Sequence, residues 1–326
     1  MKTQKVVRTD LEITRLAYGC MEIGGSWDTT PITPVTRKEG LAIIHTALDQ
    51  GINFFDHADL YCHGKSEEVF SGIWEERPSL RQKIFLQSKC GIRFAGVPQK
   101  SSPQRFDFSY EHIIWSVEGI LKRLKTDHLD SLLLHRADPL VEPEEVAKAF
   151  DELHAAGKVR YFGVSNHTGA QIDLLLRFVK QPLVFNQLEL SVVHTQLLDE
   201  GIVVNQELPD RHVRVFGTIE YCRLHDITIQ AWSPLAKGGL TGAAKKNQPK
   251  HWADAARVLT EMAAEKGVSR ETILIAWILR HPAHIQPVVG TTNPGRLIDC
   301  CAADKLDLTR EEWYRLFVAG RGDKLP

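Results

Sequence analysis

Short apolar runs alternate with amphipathic stretches along the whole chain, which is typical of strand–helix units that build a parallel sheet. Two early segments, Gln4–Arg8 and Leu11–Arg15, predict a β-hairpin. The later apolar runs predict eight strands, namely Ala17–Cys20, Asn53–His57, Ile84–Ser88, Ser131–His135, Tyr161–Ser165, Phe185–Glu189, Thr228–Trp232 and Pro287–Val289.

Helical patterns lie between these runs, for example at Lys38–Gln50, Tyr110–Lys125 and Glu142–Ala156. The last has Pro143 in its first turn and Gly157 at its end, which are start and stop signals. No Pro-, Gly- or Ser-rich linker divides the 326 residues, so a closed barrel is favoured over a doubly wound sheet joined to a second domain. We therefore predict an α/β fold, a (β/α)8 TIM barrel with an N-terminal β-hairpin, as one domain over residues 1–326.

Two connections are long for such units. Ser191–Gly217 follows the sixth predicted strand, and Ala236–Lys250, rich in Gly and Lys, follows the seventh. Barrel enzymes keep their sites at the C-terminal ends of their strands, so both segments are predicted to serve function.

The overall charge narrows the function classes. Forty basic and forty-one acidic residues give a net charge of −1, so no global field favours nucleic acid or an anionic membrane as a partner. The first residues lack the apolar core of a signal peptide, and the longest apolar run, near Ile273–Leu279, is far shorter than the roughly 20 residues of a membrane span. A cytoplasmic location is expected.

The six cysteines show no CxxC spacing, and neighbours such as Cys300 and Cys301 rarely form a structural bridge, so reduced thiols are expected. Cys62 and His63 lie near His57, but no second clustered ligand pair accompanies them. No metal site is predicted.

Ionisable residues end three consecutive predicted strands: Asp56 the second, Lys89 the third and His135 the fourth, while Tyr61 follows in the loop after Asp56. Taken singly, Asp56 could cap a turn, Lys89 could be solvated and His135 could be a hydrogen-bonded core residue. Taken together, they end runs so apolar that the polar groups must converge at one barrel mouth. This convergence favours a site.

A tyrosine hydroxyl ordinarily titrates near pH 10, and a nearby cation such as Lys89 is expected to lower its pKa (about 10 in a model peptide). Asp56 would pair with Lys89, and His135 would hold a substrate oxygen. Such a group suits general acid catalysis, in which Tyr61 protonates an alkoxide formed by hydride addition. A hydride source is then required.

Neither a GxGxxG fingerprint nor a P-loop is present, so a nucleotide must bind in another way. Gly290–Arg296 runs from the eighth strand into a helix, and its free backbone N–H groups and Arg296 suit an anion. Lys237–Gly242 can wrap a pyrophosphate, although each segment could equally be an ordinary helix cap or flexible loop. Trp232 offers a flat face for a nicotinamide ring, or packs in the core.

These residues resemble the aldo-keto reductase family, NADP-dependent barrel enzymes, through nearly the whole chain. Residues 53–61 (NFFDHADLY) resemble the family's aspartate and tyrosine segment, 87–91 (QSKCG) its lysine segment and 133–136 (LLHR) its histidine segment. The resemblance implies a catalytic tetrad of Asp56, Tyr61, Lys89 and His135, hereafter "the tetrad", in a reductase that converts an aldehyde or ketone to an alcohol with Tyr61 as general acid.

Further segments resemble the family's cofactor site. Residues 163–166 and 186–187 match segments that hold the nicotinamide carboxamide, 231–235 the ring-stacking segment, 237–242 the pyrophosphate belt, and Arg296 the arginine that grips the adenosine 2′-phosphate. The resemblance implies NADPH as cofactor. The predicted cofactor contacts are Gly19, Ser165, Asn166, Gln187, Trp232, Ser233, Pro234, Leu235, Lys237, Gly238, Gly290, Thr291, Thr292 and Arg296.

The chain departs from many family members at three places: His57 replaces a small residue, Trp232 a tyrosine, and Thr292–Asn293 a second basic residue beside the 2′-phosphate. The chain ends soon after a predicted helix at Thr309–Val318, like the short-tailed bacterial branch, so an open pocket is expected. Pocket candidates are Met21, Trp27, Tyr61, Phe94 and the Ser191–Gly217 segment.

Arg136 and Asp138, just beyond His135, either contact a polar substrate or pair with each other, and the pairing is favoured. Two other functions stay open. One is a nicotinamide-binding regulatory or redox-sensing subunit with little turnover; the other is a barrel isomerase or lyase that uses Lys89 or His135 without a cofactor. The substrate, beyond a small carbonyl compound, and the oligomeric state do not follow from the sequence.

Overall fold

The computed structural model describes residues 1–203, 216–242 and 248–326. Its strands are β1 (Thr3–Lys5), β2 (Glu12–Thr14), β3 (Ala17–Gly19), β4 (Phe54–Asp56), β5 (Phe85–Cys90), β6 (Ile92–Arg93), β7 (Arg105–Phe106), β8 (Leu129–Leu134), β9 (Val159–Ser165), β10 (Leu183–Glu189), β11 (Thr228–Trp232) and β12 (Gln286–Val289). Strands β3, β4, β5 and β8 to β12 pair in parallel in chain order and close where β12 meets β3. The predicted (β/α)8 barrel is confirmed, as is the antiparallel hairpin β1–β2.

Helices connect the strands on the outside of the barrel. They are α1 (Pro34–Asp49), α2 (Lys65–Phe70), α3 (Ile73–Glu76), α4 (Tyr110–Leu124), α5 (Pro143–Ala155), α6 (Gly169–Leu176), α7 (Gln196–Ile202), α8 (Thr218–Leu224), α9 (Lys250–Lys266), α10 (Arg270–Leu279), α11 (Pro294–Ala302) and α12 (Arg310–Arg321). Two of the predicted strand ends shift: Lys89 lies within β5, and His135 directly follows β8.

The hairpin closes the N-terminal end of the barrel. Leu11 and Ile13 are fully buried in one cluster with Phe54 and Phe185, whose ring centroids lie 5.7 Å apart. Side chains two residues apart on a strand share a face, so Asp56 and Gln187 follow these two phenylalanines on the inner surface. The barrel interior therefore changes from apolar to polar toward the C-terminal ends of its strands.

The two long connections are described only in part, because residues 204–215 and 243–247 lie outside the described residues. The first, Ser191–Gly217, contains the helix α7, which was not predicted from the sequence. The second, Ala236–Lys250, begins with a 3₁₀ turn at Ala236–Gly238.

All six cysteines are free and buried. Across the described ranges, no cluster of three His, Cys, Asp or Glu side chains could hold a metal ion, and no helix has the length and apolar character needed to cross a membrane.

Candidate active site

Lys89 makes direct hydrogen bonds to two other members of the tetrad. Its ammonium Nζ, fully buried, donates to Oδ2 of Asp56 at 2.7 Å and to the hydroxyl oxygen of Tyr61 at 3.0 Å. A third bond, of 2.8 Å, goes to the backbone carbonyl of His57. All three N–H groups of the ammonium are thus satisfied, which fixes its position beside the tyrosine.

Tyr61 sits at the start of a 3₁₀ turn that leaves β4. The next two residues, Cys62 and His63, have left-handed backbones with φ of 48° and 59°. Such a conformation costs a non-glycine residue roughly 1–2 kcal/mol, and such strained residues cluster at functional sites. The turn directs the ring of Tyr61 edge-on to that of His135, with centroids 6.0 Å apart.

The pKa of Tyr61 reflects competition between burial and charge. Burial raises this pKa, Lys89 lowers it and Asp56 raises it again, and the net pKa lies above the ordinary value. The expectation that Lys89 brings the pKa down is therefore wrong in net direction, because desolvation of the phenolate outweighs the attraction of the ammonium. Tyr61 is protonated at neutral pH, which is the form a proton donor needs.

Burial opposes the charge on Lys89, but the attraction of Asp56 and Tyr61 outweighs it, so the pKa of Lys89 lies above its ordinary value. His135 behaves in the opposite way. Burial, Lys89 and the neighbouring Arg136 hold the pKa of His135 well below its ordinary value, so its imidazole is neutral at pH 7. A neutral imidazole carries one N–H and can still donate one hydrogen bond.

A chain of buried glutamines supports Asp56 from inside the barrel. Gln87 and Gln187 donate from Nε2 to Oδ1 of Asp56 at 2.7 and 3.1 Å, and both also donate to Oε1 of Gln230. Gln230 in turn donates to Gln286 at 2.9 Å, and Gln286 to the backbone carbonyl of Thr14 at 2.7 Å. Both oxygens of the Asp56 carboxylate thus have donors.

Of these four glutamines, only Gln187 was predicted from the sequence as a site residue. A signal was available, because Gln87, Gln230 and Gln286 each interrupt an apolar strand, in the segments FLQSK, TIQAW and IQPVV. A buried amide requires partners, so three such interruptions indicate an internal polar network.

One cavity of about 700 Å³ opens at the C-terminal ends of the barrel strands and includes three of the four tetrad residues. Lys89 is the exception and lies behind the wall. Every predicted cofactor residue lines the cavity, namely Gly19, Ser165, Asn166, Gln187, Trp232, Ser233, Pro234, Leu235, Lys237, Gly238, Gly290, Thr291, Thr292 and Arg296.

At the inner end of this cavity, the polar groups fit a nicotinamide carboxamide. Asn166 donates from Nδ2 to Oγ of Ser165 at 2.8 Å and to the backbone carbonyl of His135 at 3.2 Å. Gln187 uses its amide nitrogen within the barrel, and no described group donates to its Oε1. That oxygen is a free acceptor at the cavity wall, and Trp232 adds a flat face beside it.

At the outer end, the groups fit phosphates. Asn293 caps α11 by accepting from the backbone N–H of Arg296 at 3.0 Å, and Pro294 occupies the first turn. The guanidinium of Arg296 is held by Glu271, with Nε to Oε1 at 3.1 Å. No atom of the described residues lies within 4 Å of where a Cβ of Gly238 would be, so this part of the described chain leaves the backbone open to a ligand.

The substrate end of the cavity differs in part from expectation. Met21 and Trp27 line it as predicted, but Phe94 does not and instead stacks on His63 with centroids 4.3 Å apart. The predicted pairing of Arg136 with Asp138 is wrong, since Asp138 accepts from the backbone N–H groups of Phe108 and Leu140. The lining residues that sequence reasoning missed are Glu22, Leu60, Ile92 and Val288.

Comparisons with known proteins identify the family of this chain. Residues 15–317 match the Aldo/keto reductase family. A 6-dehydroglucose reductase of Agrobacterium fabrum is 34% identical over 324 residues, covering 99% of both chains. Oxidoreductase YdhF of Escherichia coli is 35% identical over 292 residues, covering 90% of this chain and 91% of its own.

Among solved structures, the glycerol dehydrogenase AKR11B4 of Gluconobacter oxydans has a TM-score of 0.81 at 24% identity, with 100% of this chain and 98% of that chain covered. This likeness shows the shared fold. The family match over most of the length, together with relatives above 30% identity, establishes that the chain belongs to the aldo/keto reductase family of oxidoreductases.

Proposed function

We propose that this protein is an NADPH-dependent reductase that converts an aldehyde or ketone to an alcohol, with Tyr61 as the general acid. The observation that carries the proposal is the hydrogen bond of 3.0 Å from Lys89 to the hydroxyl oxygen of Tyr61. It leaves the phenolic proton free to point away from the ammonium and toward the cavity.

In the proposed reaction, Tyr61 transfers its proton to the carbonyl oxygen as negative charge develops there. The phenolate that remains is stabilised by the ammonium of Lys89, whose charge is in turn balanced by Asp56 at 2.7 Å. The neutral imidazole of His135 donates a hydrogen bond to the same substrate oxygen and orients it. When bound, NADPH supplies the hydride that the carbonyl carbon accepts.

The cofactor assignment rests on the donor set around the cavity. Ser165, Asn166 and Gln187 would hold the carboxamide, with the nicotinamide ring against Trp232, and Lys237 would meet the pyrophosphate. Arg296 at the N-terminus of α11 supports NADPH over NADH, because a guanidinium and free helical N–H groups both favour an additional phosphate.

The relatives bear on the choice of substrate. One is named a 6-dehydroglucose reductase, so a sugar aldehyde belongs in the test panel, together with simple aliphatic and aromatic aldehydes. The cavity wall formed by Met21, Trp27, Leu60 and Ile92 also accommodates apolar substituents.

The proposal is tested by assaying the purified protein with NADPH and this panel, beside the variant Tyr61→Phe. Loss of the proton donor is expected to lower kcat about 10²- to 10⁴-fold, while the Kd for NADPH changes little. Unchanged turnover in Tyr61→Phe would remove Tyr61 as the acid. NADPH binding without turnover of any carbonyl by the unmodified protein would favour the regulatory alternative.

A further inference from the structure

Arg136 is a cation in the cavity wall that no other part of the described chain neutralises. It directly follows His135, is half-buried, and its Cζ lies 5.4 Å from the centroid of the Trp232 ring. Within the described ranges, its guanidinium makes no ion pair and no hydrogen bond to another residue. The cation–π contact with Trp232 is its one specific interaction there.

Three other half-buried arginines of this chain have acidic partners. Arg81 and Arg160 both pair with Asp130, at 3.1 and 2.8 Å, and Arg123 pairs with Glu67 at 2.7 Å. A partly desolvated guanidinium ordinarily has such a partner because its five donors are costly to leave unpaired. Arg136 lacks one because the nearby acid Asp138 accepts two backbone N–H groups instead.

None of the other charged groups of the cavity is an ion-pair partner of Arg136 in the described part of the chain. Asp56 is matched by Lys89, and in the proposed function Lys237 and Arg296 serve the cofactor phosphates. Glu22, an exposed carboxylate, lines the same cavity but makes no ion pair with Arg136 among the described contacts. One guanidinium therefore remains for the substrate, next to the histidine that is proposed to orient the carbonyl.

We propose that Arg136 binds a carboxylate on the substrate, so that the preferred substrates are carbonyl compounds carrying an anionic group. The fork of N–H donors on a guanidinium matches a carboxylate with two parallel hydrogen bonds. The apolar side chains of Trp27, Leu60 and Ile92 would contact the body of the substrate between its carbonyl and its carboxylate. This inference rests on the proposed carbonyl reduction and adds a substrate class to it.

The test compares 4-carboxybenzaldehyde with its neutral methyl ester, methyl 4-formylbenzoate, as substrates with NADPH. The unmodified protein is expected to show a kcat/KM at least about 10-fold higher for the carboxylate, as a charge-assisted hydrogen bond provides. Arg136→Gln is expected to lower kcat/KM for the carboxylate about 10- to 100-fold and to leave the ester within about 3-fold. Arg136→Lys, which retains the charge, should recover part of the preference.

Three results would overturn the inference while the proposed function stands: reduction of both aldehydes without preference, equal losses for both in Arg136→Gln, or a raised Kd for NADPH in that variant. The last would make Arg136 a cofactor residue. Failure of the unmodified protein to reduce either aldehyde, or any other carbonyl, would instead remove the proposed function itself. Arg310→Gln, on the exposed surface of α12, is the matched control and should behave as the unmodified protein.

Discussion

The indole Nε1 of Trp232 donates a hydrogen bond of 3.1 Å to Oδ1 of Asn166, linking the end of β11 to the loop after β9. Asn166 has a left-handed backbone with φ of 59° and also donates to Ser165. The bond therefore holds the aromatic face in register with the polar groups proposed to bind the carboxamide. A tyrosine at this position would present its hydroxyl group from a ring of different shape and would not reproduce this bond. Trp232 therefore contributes a hydrogen bond as well as an aromatic surface.

This link leads to a prediction for Trp232→Phe, which keeps a flat ring but loses the N–H. Asn166 then lacks a donor for its Oδ1, and we expect the Kd for NADPH to rise roughly 2- to 10-fold, the net worth of one hydrogen bond. Fluorescence titration with NADPH measures the change. Trp115→Phe, at a position 66% exposed on α4, is the control. An unchanged Kd would show that the indole bond does not order the site.

A second prediction concerns the buried ion pair of Lys89 and Asp56. Lys89→Met leaves a buried carboxylate without its cation, and removing one partner of such a pair costs roughly 3–5 kcal/mol in the free energy of unfolding. The double variant Asp56→Asn with Lys89→Met leaves no uncompensated charge and is expected to recover part of that loss. Both variants should lack reductase activity.

Urea unfolding of the unmodified protein and the two variants separates stability from catalysis. If the double variant is no more stable than Lys89→Met, then the unpaired carboxylate is not the source of the loss. The hydrogen bonds that Asp56 accepts from Gln87 and Gln187 would in that case compensate its charge.

A third prediction concerns acid stability and His57. Burial, aided by Lys89, lowers the pKa of His57 to about 3, and neither of its ring nitrogens has a hydrogen-bond partner among the described residues. The unfolded chain takes up a proton near pH 6.5 but the folded protein does not, so the free energy of unfolding falls as the pH drops below that value. The slope for one such group is about 1.4 kcal/mol per pH unit.

His57→Phe keeps the edge-on contact with Phe70, whose centroid lies 4.7 Å away, and removes the titrating group. Between pH 6 and pH 4, its free energy of unfolding is expected to fall less steeply by about 1.4 kcal/mol per pH unit. His167→Asn should act in the same direction over a shorter interval, because burial lowers the pKa of His167 to about 4. Equal slopes for His57→Phe and the unmodified protein would mean that His57 is protonated in the folded state.

Much of the site could be predicted from the sequence because parallel strands carry their C-terminal residues to one mouth. Asp56 and His135 directly follow the apolar runs Phe54–Phe55 and Leu132–Leu134, so their polar side chains were expected at the ends of the strands. The start of α11 was also predictable, because an Asn cap followed by a Pro, here Asn293 and Pro294, is typical of a helix N-terminus.

Other features of the site could not be predicted from the sequence, because they depend on competing interactions between residues that are distant in sequence. The net pKa of Tyr61 is set by burial against the charge of Lys89, and neither magnitude is encoded in local spacing. For Arg136, pairing with Asp138 was favoured over contact with a polar substrate. The backbone N–H of Phe108, 30 residues away in sequence, competes for that carboxylate, and only the fold reveals it.

The last prediction concerns the discrimination between NADPH and NADH by Arg296. Its Nε is held by Glu271 at 3.1 Å, which leaves its other nitrogens for a phosphate. Arg296→Gln is expected to raise the Kd for NADPH about 10- to 100-fold and to leave that for NADH within about 2-fold, because NADH lacks the 2′-phosphate. Fluorescence titrations with both nucleotides measure this, with Arg310→Gln as the control.

Glu271→Gln provides the complementary test of the same contact. Removing the acid leaves the charge of Arg296 uncompensated, so NADPH should bind a few-fold more tightly unless the guanidinium loses its orientation. Comparison of Arg296→Gln with Glu271→Gln therefore separates charge from orientation. If Arg296→Gln weakens both nucleotides equally, Arg296 supports the start of α11 rather than binding a 2′-phosphate, and the proposed preference for NADPH loses its main support.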